Sequence, residues 1–323
     1  MASPVAVVAR GGHVRRRAFL PALVAALVLA AGALLGSAGP AAAAYPGHDG
    51  LILFARADQL YTVASGGGPV VKLTSDGRNL RGKWSPDGHR IAYVHQVTDG
   101  ARELWVMNAD GSGKRRLTAS GTVGGSPSWS PDGSRIVYAS RAGYLTVVAS
   151  VGVKPVPRRM IGYYTNCGEC EGSLHEPIAA DRFVAWSPDG KRIAVYNHVD
   201  SIVDDAIYMY NVATGEAREF NSTGGSCCGT ALWTDLFFGP TGTFGHSSSN
   251  FDWYTGRFAP VRILYPGFAS RPGDTGGAPS PDGKSMVFTN GCSGAAYVYT
   301  ASVSGAGRHK LAAGYQPDWQ PLP

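Results

Sequence analysis

The chain has 323 residues, 44% of them hydrophobic and 16% charged, which is ample apolar content for a buried core. Its net charge of +6 arises largely in the first 44 residues, which hold Arg10, Arg15, Arg16 and Arg17 and no Lys, Asp or Glu. Without those four arginines, 25 basic side chains face 23 acidic ones. A chain so nearly balanced is not expected to have a nucleic-acid partner.

The first 44 residues have the layout of an export signal. Basic residues precede an apolar run over residues 19–35, and small residues follow it. Ala42 and Ala44 form a small-x-small cleavage pattern, which predicts a mature start near Tyr45. The sequence RRAFL from Arg16 matches the twin-arginine pattern, with Sec export as the alternative. An uncleaved signal would instead anchor the protein in a membrane, and no other segment is apolar enough to span one.

From residue 51 the chain reads as short apolar runs broken by Gly, Asp, Ser and Pro, a pattern typical of all-β proteins. Three strands are predicted at 51–55, 59–64 and 70–73, and the five-residue phrase WSPDG follows. In this phrase Pro presets a turn, Asp bonds to the backbone and Gly accepts a positive φ, so each copy predicts a tight turn.

The phrase recurs along the chain. Intact copies lie at 84–88, 129–133 and 186–190, worn copies at 238–242 and 279–283, and a partial copy begins at Trp319. We assign a structural role in the repeat to Trp84, Pro86, Asp87, Gly88, Trp129, Pro131, Asp132, Gly133, Trp186, Pro188, Asp189, Gly190, Pro281, Asp282, Gly283 and Trp319.

Successive copies are 40 to 57 residues apart, and each unit reads as four antiparallel strands. Units of this size are typical of propeller blades. The strand at 317–321 is left over at the C-terminal side, and the N-terminal blade lacks one strand. We therefore predict an all-β, six-bladed propeller over residues 45–323 whose ring is closed by the C-terminal strand joining the N-terminal blade.

WSPDG followed by Arg-Ile-Ala-Tyr at 90–93, or by Lys-Arg-Ile-Ala at 191–194, resembles the TolB-like, WD40-like repeat of bacterial envelope proteins. The resemblance covers nearly all of the mature chain and implies an exported propeller. It is specific for the fold rather than for function, since the family includes Tol–Pal components and peptidase-associated propellers. TolB also carries a small α/β domain ahead of its propeller. Only residues 45–50 precede the first strand here, which argues against a Tol–Pal role.

Strand order places all SPDG turns on one side of the ring, which we name the turn face. The longer connections at 156–180, 198–205, 220–233 and 290–295 lie on the opposite side, which we name the loop face. Loops on a rigid scaffold commonly carry function, so we expect the loop face to be the working face.

Cysteines and ionisable residues gather in these loops. The cysteines are Cys167, Cys170, Cys227, Cys228 and Cys292. Disulfides are the expected pairing in an exported protein, with at least one Cys left over because five is odd. The alternative is a divalent metal, because Cys167, Cys170 and His175 begin a zinc-knuckle spacing whose fourth position is Ala180. No cofactor is predicted otherwise.

A second set of loop residues is acidic or imidazole-bearing: Glu169, Glu171, His175, Glu176, His198, Asp200, Asp204 and Asp205. We treat these as candidate binding-face residues, with a solvated loop surface as the alternative. No catalytic residue is assigned, because the serine-nucleophile pattern at 291–294 lacks its final Gly and the phosphate-loop pattern near 111–114 lacks two required residues.

The sequence favours an exported, monomeric, non-enzymatic module that binds a protein, peptide or glycan at the cell envelope. One alternative is a propeller-type polysaccharide lyase or glycan hydrolase using the acidic and His residues of the loop face. A glycosidase would need two carboxylates about 5 to 9.5 Å apart. The other alternative is a metal-binding sensor or carrier built on the cysteines.

Overall fold

The fold is all-β, with strands grouped into six sheets that we number as blades 1 to 6 in chain order. The computed structural model describes residues 46–97, 100–152, 156–165, 176–199, 204–222, 231–252, 257–258, 260–291 and 296–323. Across these ranges no helix is present, and so none that could cross a bilayer. The export signal predicted at 1–44 lies outside the described residues and stays a prediction.

Blade 1 contains β1 (His48–Arg56), β2 (Gln59–Ala64), β3 (Val71–Lys72) and β26 (Tyr315–Leu322). Blade 2 contains β4 (Arg78–Trp84), β5 (Arg90–Gln96), β6 (Arg102–Asn108) and β7 (Arg115–Arg116). Blade 3 contains β8 (Val123–Trp129), β9 (Arg135–Ser140), β10 (Leu145–Ala149) and β11 (Arg158–Arg159).

Blade 4 contains β12 (Ile161–Thr165), β13 (Glu176–Pro177), β14 (Val184–Trp186), β15 (Arg192–Val199), β16 (Asp204–Asn211) and β17 (Glu216–Ser222). Blade 5 contains β18 (Ala231–Phe238), β19 (Phe244–Asp252), β20 (Arg257–Phe258) and β21 (Arg262–Leu264). Blade 6 contains β22 (Asp274–Pro279), β23 (Ser285–Asn290), β24 (Tyr297–Ser302) and β25 (His309–Ala313).

The ring closes through β26, which completes blade 1 by pairing antiparallel with β1. Gln320 fixes this junction, because its side-chain oxygen accepts the Leu51 N–H at 2.9 Å and its Nε2 donates to the Gly88 carbonyl at 2.8 Å. The innermost strands β26, β4, β8, β14, β18 and β22 contact one another in a closed cycle. The predicted six-bladed propeller with its C-terminal closure is therefore confirmed.

Two blades depart from the simple repeat. In blade 4 the long connection from blade 3 adds β12 and β13 at the outer edge, where β12 pairs parallel with β17. In blade 5, β20 and β21 both pair with different parts of the long strand β19. The first difference arises in the interval that the sequence marked as an insertion.

The same set of hydrogen bonds holds four of the turns, those of the three intact WSPDG copies and of the copy at 279–283. In the first, Asp87 accepts bonds from Ser85 Oγ at 2.5 Å and from the His89 N–H at 3.0 Å. Burial raises the pKa of Asp87, but these hydrogen bonds outweigh burial and leave the pKa below its ordinary value. The same contacts recur at Asp132, Asp189 and Asp282.

The motif tryptophans pack between neighbouring blades. Trp84 is fully buried among residues of blades 1 and 2, and Trp129 among residues of blades 2 and 3. The Arg that follows each intact WSPDG turn reaches forward to the next blade: the Arg90 guanidinium lies 4.9 Å from the ring centre of Trp129, and Arg135 lies 5.2 Å from that of Trp186. These cation–π contacts link one blade to the next in series.

Replacing Gly88 by Ala should destabilise the protein more than its backbone angle alone requires. Gly88 has φ of +68°, and a Cβ there would overlap the carbonyl oxygen of Pro321 in the closing strand. Gly100 is a matched control, because its φ is +81° and no atom of the described residues lies within 4 Å of its Cβ position. We expect about 1 kcal/mol for Gly100→Ala and at least about 2 kcal/mol for Gly88→Ala in denaturant unfolding. Equal losses would show that the junction at Pro321 adjusts freely.

Candidate functional site

Most of the site residues predicted from the sequence lie outside the described residues: Cys167, Cys170, Cys227, Cys228, Cys292, Glu169, Glu171, His175 and Asp200. Glu176 lies in β13, and His198 pairs with Asp205, next to Asp204, where β15 and β16 meet. Only the backbone of these four is described. Within the described part of the chain, no group of three or more His, Cys, Asp or Glu residues could hold a metal ion. The disulfide, metal and carboxylate hypotheses therefore stay predictions.

The disulfide hypothesis makes a prediction for thiol counting. If the cysteines pair after export, fewer than five thiols of the exported protein should react with an alkylating reagent without reductant. Intact mass before and after alkylation measures this number, and a reduced sample is the control that should label all five. Five labelled thiols in the unreduced sample would contradict the hypothesis.

The structure draws attention instead to the central channel. Side chains alternate along a strand, so every second residue of an innermost strand lies on the same face of its blade. The first position of the six copies of the phrase serves as the reference: Trp84, Trp129, Trp186, Phe238, Pro279 and Trp319. The residue one position before this reference forms a deep ring of Lys83, Ser128, Ala185, Phe237, Ala278 and Asp318. The residue three positions before it forms a mouth ring of Arg81, Ser126, Phe183, Asp235, Gly276 and Gln316. The innermost strands run from the loop face to the turn face, so the mouth ring lies nearer the loop face.

The deep ring joins blades to one another. Lys83 Nζ lies 3.3 Å from the Asp318 carboxylate, which also accepts the backbone N–H of Trp84 at 2.7 Å. The Ser128 hydroxyl likewise accepts the backbone N–H of Trp186 at 2.9 Å. Burial alone would lower the pKa of Lys83, but Asp318 and Asp235 together hold that pKa above its ordinary value. These side chains are committed to holding the ring together.

The mouth ring surrounds a cavity of about 220 Å³ and is organised by Arg81. Its backbone N–H donates to Gln316 at 3.0 Å, and its Nη1 donates to Ser126 Oγ at 3.0 Å and to the Arg182 carbonyl at 3.1 Å. Its guanidinium carbon lies 5.3 Å from the ring centre of Phe183. Burial, and then the nearby charge of Arg102, lowers the pKa of Arg81 to about 10, so the group stays cationic at neutral pH.

The opposite wall of the mouth is acidic. Asp235 belongs to blade 5, which lies directly across the six-membered ring from blade 2. One carboxylate oxygen of Asp235 accepts the Leu236 N–H at 2.9 Å, and the other has no hydrogen-bond partner among the described residues. Burial raises the pKa of Asp235, and Lys83 only partly offsets this.

A further polar group in the mouth lacks a partner. Thr289 lines the cavity beside Gly276 and is 3% exposed, yet its Oγ1 has no hydrogen-bond partner within the described ranges. A buried hydroxyl without a partner is energetically unfavourable. The mouth therefore combines a fixed cation, an anion across from it and a hydroxyl available to bond a ligand.

Neither ring was predicted from the sequence. The spacing of the repeat could have located them, because the residues one and three positions before the first residue of each WSPDG copy form the deep ring and the mouth ring. The six mouth positions share no residue type, so a search for repeated residues passes over them.

Comparison with known proteins agrees with this geometry. The family described as the TolB beta propeller domain matches residues 55–162. The matched residues include the whole of blades 2 and 3. The chain is 50% identical over 48 positions to the Tol-Pal system protein TolB of Anaeromyxobacter dehalogenans (strain 2CP-C), a match that spans 15% of this chain and only 11% of that relative.

Solved structures show the same fold. TolB from Acinetobacter baumannii superposes with a TM-score of 0.56 at 18% identity, covering 90% of this chain and 70% of that one. A chain of the nidogen/laminin complex superposes with a TM-score of 0.55 at 10% identity, covering 84% of this chain and 98% of that one. At these identities the likeness of this chain to both structures extends to the fold alone.

Proposed function

We propose that the protein is an exported, non-enzymatic binding module whose channel mouth takes an extended segment of an envelope protein. The proposal rests on the mouth ring, where Arg81 and Asp235 face each other across an open cavity. The TolB-like fold is compatible with a binding or scaffold role. Export is supported by the basic and apolar pattern of the first 44 residues.

The chemistry of the mouth suits a polypeptide segment. Such a segment offers N–H donors and side chains of either charge, and the free oxygen of Asp235 and the hydroxyl of Thr289 can accept or donate to them. A cavity of about 220 Å³ admits one or two side chains and excludes a folded domain. A partner must therefore present an extended or protruding segment.

The described lining of the mouth holds a single carboxylate, Asp235, whereas glycoside hydrolysis ordinarily uses two. No observation in the described part of the chain favours the lyase, hydrolase or metal alternatives, so the binding role is the one proposed.

Affinity capture from an envelope extract tests the proposal. Asp235→Asn and Thr289→Val keep side-chain size and remove the charge and the hydroxyl respectively. Lys284→Ala is the control, since its side chain is 82% exposed beside a turn on the opposite face. We expect partner recovery by each mouth variant to fall at least about tenfold, as for a hot-spot residue, and recovery by the control to be unchanged. Matched thermal unfolding of the variants would exclude misfolding. Equal recovery by all four proteins would place the binding surface elsewhere.

A further inference from the structure

Blade 3 carries a groove separate from the channel. It has a volume of about 480 Å³ and lies where β8 begins and where β9 turns into β10, which is the loop-face end of the blade. The residues that line it are Gly121, Thr122, Tyr138, Ser140, Arg141, Ala142, Thr146, Pro157 and Arg159. Its size is within the range of small-ligand sites.

Two arginines border this groove without an acidic partner. Arg141 and Arg159 form no ion pair with any described carboxylate, although surface arginines elsewhere do, as Arg78 does with Asp58 at 3.0 Å. The Arg159 guanidinium is held 4.3 Å from the ring centre of Tyr144, which restricts its position. Two guanidinium groups therefore face the groove with most of their donors unused.

The charge of this part of the chain is unlike the rest. Residues 119–162 contain five basic side chains and one acidic side chain, Asp132. The mature chain as a whole is nearly balanced, with 25 basic and 23 acidic residues from position 45 onward. This excess of basic side chains in and next to blade 3 favours an anionic ligand.

The floor of the groove carries side-chain hydroxyl groups. Tyr138, Thr146 and Arg159 lie side by side across β9, β10 and β11, so their side chains share one face of the blade. Tyr138 is 1% exposed, lines the groove, and has no hydrogen-bond partner for its hydroxyl among the described residues. Thr122 and Thr146 already donate to backbone carbonyls at 2.7 and 3.2 Å, so only their lone pairs remain for a ligand.

We propose that this blade 3 groove binds an anionic saccharide, with its carboxylate or phosphate held by Arg141 and Arg159. Its hydroxyl groups donate to Thr122 and Thr146 and accept from Tyr138. Guanidinium groups suit either oxyanion because they can donate two parallel hydrogen bonds. A neutral sugar would leave both arginines unused, and an anion without hydroxyl groups would leave the floor unused.

Binding of defined probes to the full mature protein tests this proposal by calorimetry. The probes are a mannuronate hexamer for carboxylate, glucose 6-phosphate for phosphate, and maltohexaose as the neutral sugar. We expect at least one anionic probe to bind and maltohexaose to bind at least about tenfold more weakly, with affinity falling as salt rises. Which anionic probe binds identifies the source of the charge. Failure of both at millimolar concentration, or equal binding of maltohexaose, would overturn the proposal.

Variants separate a specific site from general attraction. The double variant Arg141→Gln with Arg159→Gln should weaken the anionic probe at least about tenfold. Lys72→Gln with Arg158→Gln removes the same charge from exposed positions that do not line the groove, and it should weaken binding less than threefold. Tyr138→Phe should weaken binding with no change in salt dependence. Equal losses in the two double variants would overturn the proposal, and thermal unfolding of each would exclude loss of fold.

Discussion

Deleting residues 315–323 is expected to abolish cooperative folding of the propeller. The deleted strand carries Trp319, which is 5% exposed, and Asp318, which pairs with Lys83 at 3.3 Å. Losing a buried Trp side chain alone costs about 3 to 5 kcal/mol, and whole domains are commonly stable by only about 5 to 15 kcal/mol. Deletion also leaves β1 with an unpaired edge and opens the contacts of β26 with β4 and β22.

Thermal unfolding followed by circular dichroism, together with light scattering, measures this effect. Removal of residues 322–323 alone is the control, because both are exposed, and it should change the unfolding transition little. A single cooperative transition within a few degrees of the parent after the full deletion would mean that a three-stranded blade 1 and five complete blades suffice for folding. The closure would then be dispensable for stability.

Replacing Asp274 by Asn is expected to destabilise the protein by about 3 kcal/mol, because one partner of a buried ion pair then stays charged alone. Asp274 is 0% exposed and accepts two bonds from Arg308, at 2.6 and 2.9 Å. It also accepts the Arg271 N–H at 2.6 Å and an Asn290 bond at 2.9 Å. The carboxylate thus joins the first strand of blade 6 to the segment before it and to the start of β25.

The pH dependence gives a second readout of the same group. Burial raises the pKa of Asp274, but its bonds from Arg308 and Arg271 outweigh burial and leave the pKa below its ordinary value. A carboxyl with a depressed folded-state pKa contributes stability above its unfolded pKa of about 4 and loses it as pH falls through the folded value. The stability advantage of the parent over Asp274→Asn should therefore shrink below about pH 4.

A matched control is Asp58→Asn. Asp58 pairs with Arg78 at 3.0 Å, but the two side chains are 40% and 52% exposed. An exposed pair contributes at most about 1 kcal/mol, so denaturant unfolding should show a small loss that salt reduces further. Losses of similar size at Asp58 and Asp274 would contradict the view that burial makes the Arg308 pair important.

Residues with strong local chemistry allowed the fold to be predicted. Pro and Gly in each SPDG turn permit one backbone path, and the Trp before them ends a buried strand. Because each turn marks the end of the innermost strand of a blade, the position of every strand in its blade could be assigned. The number of blades and the closure by β26 could then be predicted. The worn turn at 238–242 still forms: its Gly242 N–H bonds the Gly239 carbonyl at 2.9 Å although Ser and Asp are both absent.

Other features have no local signal. The strands β11, β13 and β20 have two residues each, too few for an alternating pattern to be recognised. The parallel pairing of Tyr163 with Glu216 joins positions far apart in the chain, and propensity does not report such contacts. Likewise, Arg81 and Asp235 face each other only because blades 2 and 5 lie across the ring. The blade 3 groove depends on where Arg141 and Arg159 meet in space.

The proposed sites share one side of the molecule. The mouth ring and the blade 3 groove both lie toward the loop face. Arg102 of blade 2 donates to the Gly124 carbonyl of blade 3 at 3.0 Å, and its charge acts on Arg81. A protein partner at the mouth and an anionic saccharide in the groove would then be held by one rigid scaffold. Capture experiments with and without the saccharide probe would measure any coupling between them.

Closure of the ring through β26 also bears on how fast the protein can fold. The pair of Ile52 with Trp319 spans most of the chain, whereas blades 2, 3 and 6 are built from hairpins between consecutive strands. Contacts at such sequence separation slow folding, because the chain must lose loop entropy before the contact stabilises it. Individual blades can thus form early, but the last seam must wait for the two ends of the domain to meet. Until then, the edge of β1 that β26 covers in the closed ring is open to pairing with other chains.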